Sequence, residues 1–198
     1  MKRNLAVFVD LEHAGGKHHE ASMLTLGTVV ADLNSMEELD SFEFKFRYIE
    51  GTPWNPYAEK IHRISKSQAR RFPDPKASCI GFLKRMVPYK NEDNSPIPFY
   101  YHGINNLDFK ICMHNFDRQG LKSSFDKLFS SSNVHSTCTL FSLYRSLKGV
   151  VAEGNRLEDM AQAFNIDYNP HDAMDDSRAC FLGFKKIASE IVLSNSCY

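Results

Sequence analysis

Apolar residues in this chain follow two periods, and the change from one to the other outlines the architecture. Leu5–Val9 is an unbroken apolar run rich in β-branched and aromatic residues, the pattern of a buried strand. Leu24–Ala31 predicts a second strand. Ser41–Tyr48 predicts a third, where Phe42, Phe44, Phe46 and Tyr48 alternate with polar residues as on a half-covered sheet surface. The short link at Asn34–Ser35 predicts antiparallel hairpin pairing of the second and third strands. Helical spacing then takes over, first at Tyr57–Ile64 and again at Ala77–Val87, with Pro75 where that helix should begin. Tyr89–Pro98 is a polar, proline-bounded loop whose flanks look too small to stand alone. Beyond it, Phe99–His102 and Val134–Thr137 predict two more strands. Helices are predicted over Leu107–Phe116, Lys122–Asn133 (a short helix with a loop), Leu140–Leu147, Leu157–Phe164 and Ala173–Leu193. Strands first and strand–helix alternation later describe an α/β fold, a mixed sheet flanked by helices. The expectation is a single domain over residues 1–198, with its core at about 5–192.

Composition narrows the picture. An apolar share of 42% with 15 Phe fills a real core, and 24 basic against 24 acidic residues argue against a non-specific nucleic-acid coat. No apolar stretch is long enough to span a membrane, and the run behind the basic start MKRN stops at a carboxylate, unlike a signal peptide. Cysteines at 79, 112, 138, 180 and 197 are odd in number and form no CxxC pair, so free thiols and a reducing, cytoplasmic setting are expected. Cys79, Cys112 and Cys180 sit in apolar contexts as small core residues.

The chemistry begins where the first strand meets two carboxylates. Residues two apart on a strand project to the same side, so Asp10 and Glu12 bring like charges together. A hard divalent cation with oxygen ligands, Mg²⁺ or Mn²⁺, would relieve them; an ordinary solvated strand end is the plainer alternative. Asp108 falls in the first turn of a predicted helix, where the helix dipole welcomes an anion whether or not it has a further role. In NPHDAMDDSRAC, His171 stands five residues before Asp176 at the start of the last helix. An imidazole beside carboxylates suits general-base work. Asp172 and Asp175 read as dipole-favoured residues of that helix start.

Together these residues resemble the DEDDh branch of the DnaQ-like 3′–5′ exonucleases. Asp10-Leu11-Glu12 matches the family's Asp-x-Glu, Asp108 its middle Asp after the fourth strand, and His171 with Asp176 its His-x₄-Asp. MLTLGTVVAD is similar to the second strand of the family and KIHRIS to its His-Gly-Ile-Thr segment, so the resemblance runs from about residue 5 to residue 190. Departures are His13 where many relatives have Thr, Ile104 where they have Asn, and Ser136-Thr137 where the fifth strand often ends in Asp-Thr. Asp117, in MHNFDR, echoes the middle motif but lies about 13 Å farther along the same helix.

The resemblance implies a ribonuclease H-like five-stranded sheet, three antiparallel strands and then two parallel. It also implies hydrolysis of phosphodiester bonds at nucleic-acid 3′ ends, DNA or RNA, releasing nucleoside 5′-monophosphates. Two Mg²⁺ or Mn²⁺ ions about 4 Å apart would serve it. Asp10 would bridge them, Glu12 and Asp176 would complete one site, Asp108 would support the other, and His171 would be the base, with activity rising as it loses its proton. Leu11, His13, Asn105, Phe109 and His62 are the implied substrate contacts, although core packing suits Phe109 as well. Lys66, Arg70 and Arg71 form a basic cluster that suits a solvated helix face, and Trp54 lines a groove or anchors its loop. A homodimer is compatible with the family. Two rivals are a catalytically silent binding module on the same fold and an HD-type phosphohydrolase; the latter is all-helical and clashes with three leading strands.

Overall fold

The computed structural model describes residues 3–91 and 93–195. Its strands are β1 (Leu5–His13), β2 (Met23–Asp32), β3 (Glu37–Lys45), β4 (Phe99–Tyr101) and β5 (Val134–Ser136), forming one sheet in the order β3-β2-β1-β4-β5. β1, β2 and β3 pair antiparallel, whereas β4 runs parallel to both β1 and β5. This is the ribonuclease H-like sheet expected from the sequence. The helices are α1 (Pro56–His62), α2 (Lys66–Ala69), α3 (Pro75–Met86), α4 (Leu107–Arg118), α5 (Lys122–Asp126), α6 (Thr137–Lys148), α7 (Leu157–Phe164) and α8 (Ala173–Asn195).

Side-chain alternation along β1 divides the molecule into two layers. Val7, Val9 and Leu11 face a phenylalanine-rich core closed by Phe82 of α3, Phe109 and Phe116 of α4, and Phe125 of α5. Ala6 and Phe8 face the other way, onto Cys180 and Phe181 of α8, with Phe8 also stacked on Tyr100 at 4.8 Å between ring centres. Each such large apolar side chain contributes about 1.5–3 kcal/mol when fully buried. The sheet is therefore covered on both faces, which is why β2 reads as a nearly continuous apolar run.

The boundaries depart furthest from the sequence expectation at three places. β1 continues through both carboxylates to His13, because β2 keeps pairing with it to the end. The third strand occupies Glu37–Lys45 rather than Ser41–Tyr48. Phe46 and Tyr48 are buried beyond it, where Arg47 N–H donates to Pro73 O and Tyr48 N–H to Ala69 O. α6 begins at Thr137, ahead of the apolar spacing, because the Ser136 hydroxyl caps it by accepting from Thr139 N–H. Cys79, Cys112 and Cys180 are buried free thiols, as expected; Cys197 lies outside the described residues. No described helix is long and apolar enough to cross a membrane.

Candidate active site

The carboxyl ends of β1 and β4 open onto a crevice, the usual place for a ligand in an open α/β sheet. β4 is in register with β1 at Val7 and Phe8, whereas β2 accompanies β1 through Asp10 (opposite Gly27) and Glu12 (opposite Thr25). A bulge between Glu12 and His13 then ends the regular ladder. Asp10 and Glu12 share the face of Phe8, the face that α8 covers.

The first turn of α8 rests directly on the sheet at this level. A Cβ at Gly27 would stand 2.0 Å from the Ala173 carbonyl oxygen, so only glycine lets the helix come down here. Ser177, fully buried, donates to Ala173 O at 2.6 Å and accepts from Asp10 N–H at 2.9 Å. Asp172 caps the helix, accepting from Met174 N–H and Asp175 N–H, and Asp175 stands near Arg178; both fit the helix-start reading. Asp176, one turn in, is buried and accepts from the backbone N–H of His171 at 3.0 Å. His171 has a left-handed backbone (φ 66°) and an exposed ring, with Nε2 3.9 Å from Glu158 Oε1.

Asp108 arrives from the N-terminal turn of α4, near enough for its charge to act on Asp10. Burial first, and then the charges of Asp108, Asp176 and Glu12, hold the Asp10 carboxyl well above the usual range. Burial and the charges of Asp176 and Asp108 push Glu12 up to about 8. Asp108 and Asp176 are likewise raised, chiefly by burial. One oxygen of Asp176, Oδ1, is buried without a hydrogen-bond partner. Ligand atoms of Glu12, His171 and Asp176 lie within 4.8 Å of one another. A set of crowded carboxylates with an unpartnered oxygen fits a hard divalent cation, which would remove the repulsion and satisfy that atom.

Beside the carboxylates lies a cavity of about 400 Å³, bounded by Asp10, His102, Ile104, Tyr168, His171 and Asp176 among others. His102 builds its wall, its ring bonding Thr137 Oγ1 and Asn155 O, each at 2.9 Å. Arg145 braces the same wall by donating to Gly154 O, Ala152 O and Asn155 Oδ1. Arg156 and Glu158 also line the cavity. The Tyr168 phenol is pushed well up by burial and by Asp176 and Glu158. His102, Arg156, Glu158 and Tyr168 carry no motif signal; only the fold brings them here.

The other expected contacts are spread around the cluster. Leu11 and Phe109 are buried in the phenylalanine-rich core, Phe109 packed edge-on against Phe99 at 5.3 Å between ring centres. His13 follows Glu12 on β1, and His62 lies near enough for their charges to interact. His62 is buried, its Nδ1 accepting from Ile64 N–H while Nε2 has no hydrogen-bond partner. Asn105 is exposed in the β4–α4 loop and borders a second cavity, of about 700 Å³, that meets the first at Ile104. Arg70 of the basic cluster pairs with Glu50 on the surface, as a solvated face would, and Lys66 sits over the Tyr48 ring. Trp54 anchors its loop through Glu59.

Comparison with known proteins agrees with this fold. No curated protein sequence gives a significant match. Among solved structures, E. coli exonuclease I bound to a dT13 oligonucleotide superposes with a TM-score of 0.77 at 16% identity, covering 93% of this chain and 41% of that one. A zinc-bound complex of E. coli exonuclease I with single-stranded DNA gives 0.77 at 16% identity, over 96% of this chain and 41% of that one. A product-bound exonuclease I gives 0.76 at 16% identity, over 95% and 44%. The chain thus spans about two fifths of the length of these structures. The RNase T family model, described as Exonuclease, matches residues 7–182, which include all four carboxylates and His171. This chain belongs to that exonuclease family, within the DEDD superfamily.

Proposed function

We propose that this chain is a metal-dependent 3′–5′ exonuclease that removes nucleoside 5′-monophosphates from the 3′ ends of single-stranded DNA, RNA or both. The observation that carries the reading is that Glu12, His171 and Asp176 converge within 4.8 Å, with Asp10 and Asp108 close enough for their charges to act on the same group. These four carboxylates would hold two divalent cations, Mg²⁺ or Mn²⁺, which when bound supply an acidified water and neutralise charge on the phosphate. His171 is the group to receive the proton of the attacking water. Its backbone N–H is occupied by Asp176, while its ring remains open to the cavity mouth. Ser177 and Gly27 keep Asp10 and Asp176 in register across the strand–helix contact. Arg156 lines the cavity with a cation suited to a phosphate oxygen.

Substrate contacts follow from location. His62, with an unpartnered buried nitrogen, and its neighbour His13 would make polar contacts to the terminal nucleotide. Asn105 would meet the strand as it leaves the cavity. Leu11 and Phe109, being buried, would act from beneath as the packed floor of the terminal base seat. Residues 5–192 would work as one exonuclease domain.

The test is incubation with 5′-labelled single-stranded DNA and RNA of one sequence, with Mg²⁺ or Mn²⁺, beside the Asp10→Ala variant. A ladder shortening from the 3′ end, lost with EDTA and in the variant, supports the reading and shows the preferred sugar. Hydrolysis that survives EDTA overturns it. Binding of both strands without degradation would favour the catalytically silent module.

A further inference from the structure

Away from the acid cluster, the β1–β2 loop carries His18 and His19, and α4 presents His114 to them. Ring centres are 5.2 Å apart for His18 and His19, 5.2 Å for His18 and His114, and 6.4 Å for His19 and His114. Three imidazoles on one tetrahedral zinc, each bound at about 2.0–2.1 Å, hold their ring centres roughly 5 Å apart. We propose that His18, His19 and His114 form a second metal site, for a borderline transition-metal cation of the Zn²⁺ class.

The scaffold for such a site is already built. Asn115 and Arg118 stand one and four residues after His114 on the same helix. Asn115 donates to Ala21 O at 3.0 Å and accepts from Met23 N–H at 3.2 Å. Arg118 donates to Ala21 O at 2.8 Å and also to His19 O. The loop bearing two of the imidazoles is therefore tied to the helix bearing the third. Glu20 Oε1, 3.6 Å from His19 Nε2, supplies a nearby carboxylate for a fourth position. Arg118 is the adverse charge, and its guanidinium is engaged by backbone carbonyls.

Among the described residues, the set whose donor atoms already converge within 4.8 Å is Glu12, His171 and Asp176. The histidine set is looser, with His19 and His114 6.4 Å apart between ring centres, and would be drawn together by rotation of the half-exposed His19 ring. Ligand type would sort the two sites: imidazoles select Zn²⁺, Ni²⁺ or Cu²⁺, whereas carboxylates at the crevice suit Mg²⁺ or Mn²⁺.

The experiment uses the untagged full chain carrying Asp10→Asn and Asp176→Asn, which disable the carboxylate site. Zn²⁺ is titrated by calorimetry and its effect on Tm is followed. One equivalent should bind and raise Tm. Adding His114→Ala or, separately, His18→Ala should weaken binding at least tenfold and abolish the Tm rise, with Tm in EDTA unchanged. If His114→Ala melts early even in EDTA, the loop variant His18→Ala decides. In the otherwise unaltered chain, His114→Ala should leave Mg²⁺-dependent hydrolysis intact. Zinc stoichiometry and affinity unchanged by His18→Ala would overturn the proposal.

Discussion

The two halves of β1 are buried for opposite reasons. Leu5–Val9 has strands on both sides and apolar layers on both faces, and removing it from water stabilises the fold. Asp10–His13 continues the same ladder with β2, yet carries carboxylates into a site where burial and mutual repulsion raise their pKa values. One half is held by what it excludes, the other against its own electrostatics. The contrast marks the end of β1 as the place where a bound cation would relieve the fold. A strand built for stability alone would have placed apolar residues or solvated charges at these positions.

Substitutions in each half should separate the two roles. Asp10→Asn removes a member of the proposed catalytic unit, so hydrolysis should fall by about 10⁴-fold or more. The metal-free protein should at the same time melt no lower than the parent, because one of the crowded charges is gone; single-turnover rates and Tm in EDTA check both. Phe8→Ala, two residues earlier on the same face, should do the reverse. It leaves a cavity among Tyr100, Phe181 and Phe184 and should cost about 3–5 kcal/mol in urea unfolding, with the folded fraction still active.

Gly27→Ala tests the contact between the halves. The added methyl meets the Ala173 carbonyl, so α8 must lift, at about 1–3 kcal/mol of stability. Activity should fall further than stability does, since Asp176 and Ser177 move with the helix; comparing kcat with Tm measures that gap. The smallest effect is a pH dependence. Glu12 rises from 4.5 to about 8 in the folded, metal-free chain, which therefore binds the proton more tightly than the unfolded chain does. That stabilising contribution is complete below pH 4.5 and is lost as pH rises through about 8. Tm in EDTA should fall across this window, and Mn²⁺ should flatten the slope. A level profile in EDTA would show that the carboxylates are not crowded.

Much of this was legible from residues close together in the chain. The strand β2, the hairpin at Asn34–Ser35, the bounds of α7 and the spacing of His171 from Asp176 all follow from short-range periodicity and local turn chemistry. The continuation of β1 through Asp10 and Glu12 was not legible, because carboxylates read as a strand's end unless the pairing of β2 is known. Leu11 is similar: the family resemblance implied a substrate contact, and only strand alternation in the sheet shows that its side chain lies in the core beneath the site. The seat of α8 on Gly27, the Ser177 bridge and the cavity wall of His102 and Arg145 have no local signature at all.

By itself, then, the sequence determined the order of elements, the apolar interior and the kinds of ligand atoms available, since these depend on residue type and on neighbours within a turn or a strand. The tertiary packing decided that the charges of Asp108 from α4 and Asp176 from α8 act on Asp10 of β1, and that His114 meets the loop bearing His18 and His19. Such meetings depend on how closely layers pack, down to the single missing Cβ at Gly27, and that closeness is a property of the assembled core.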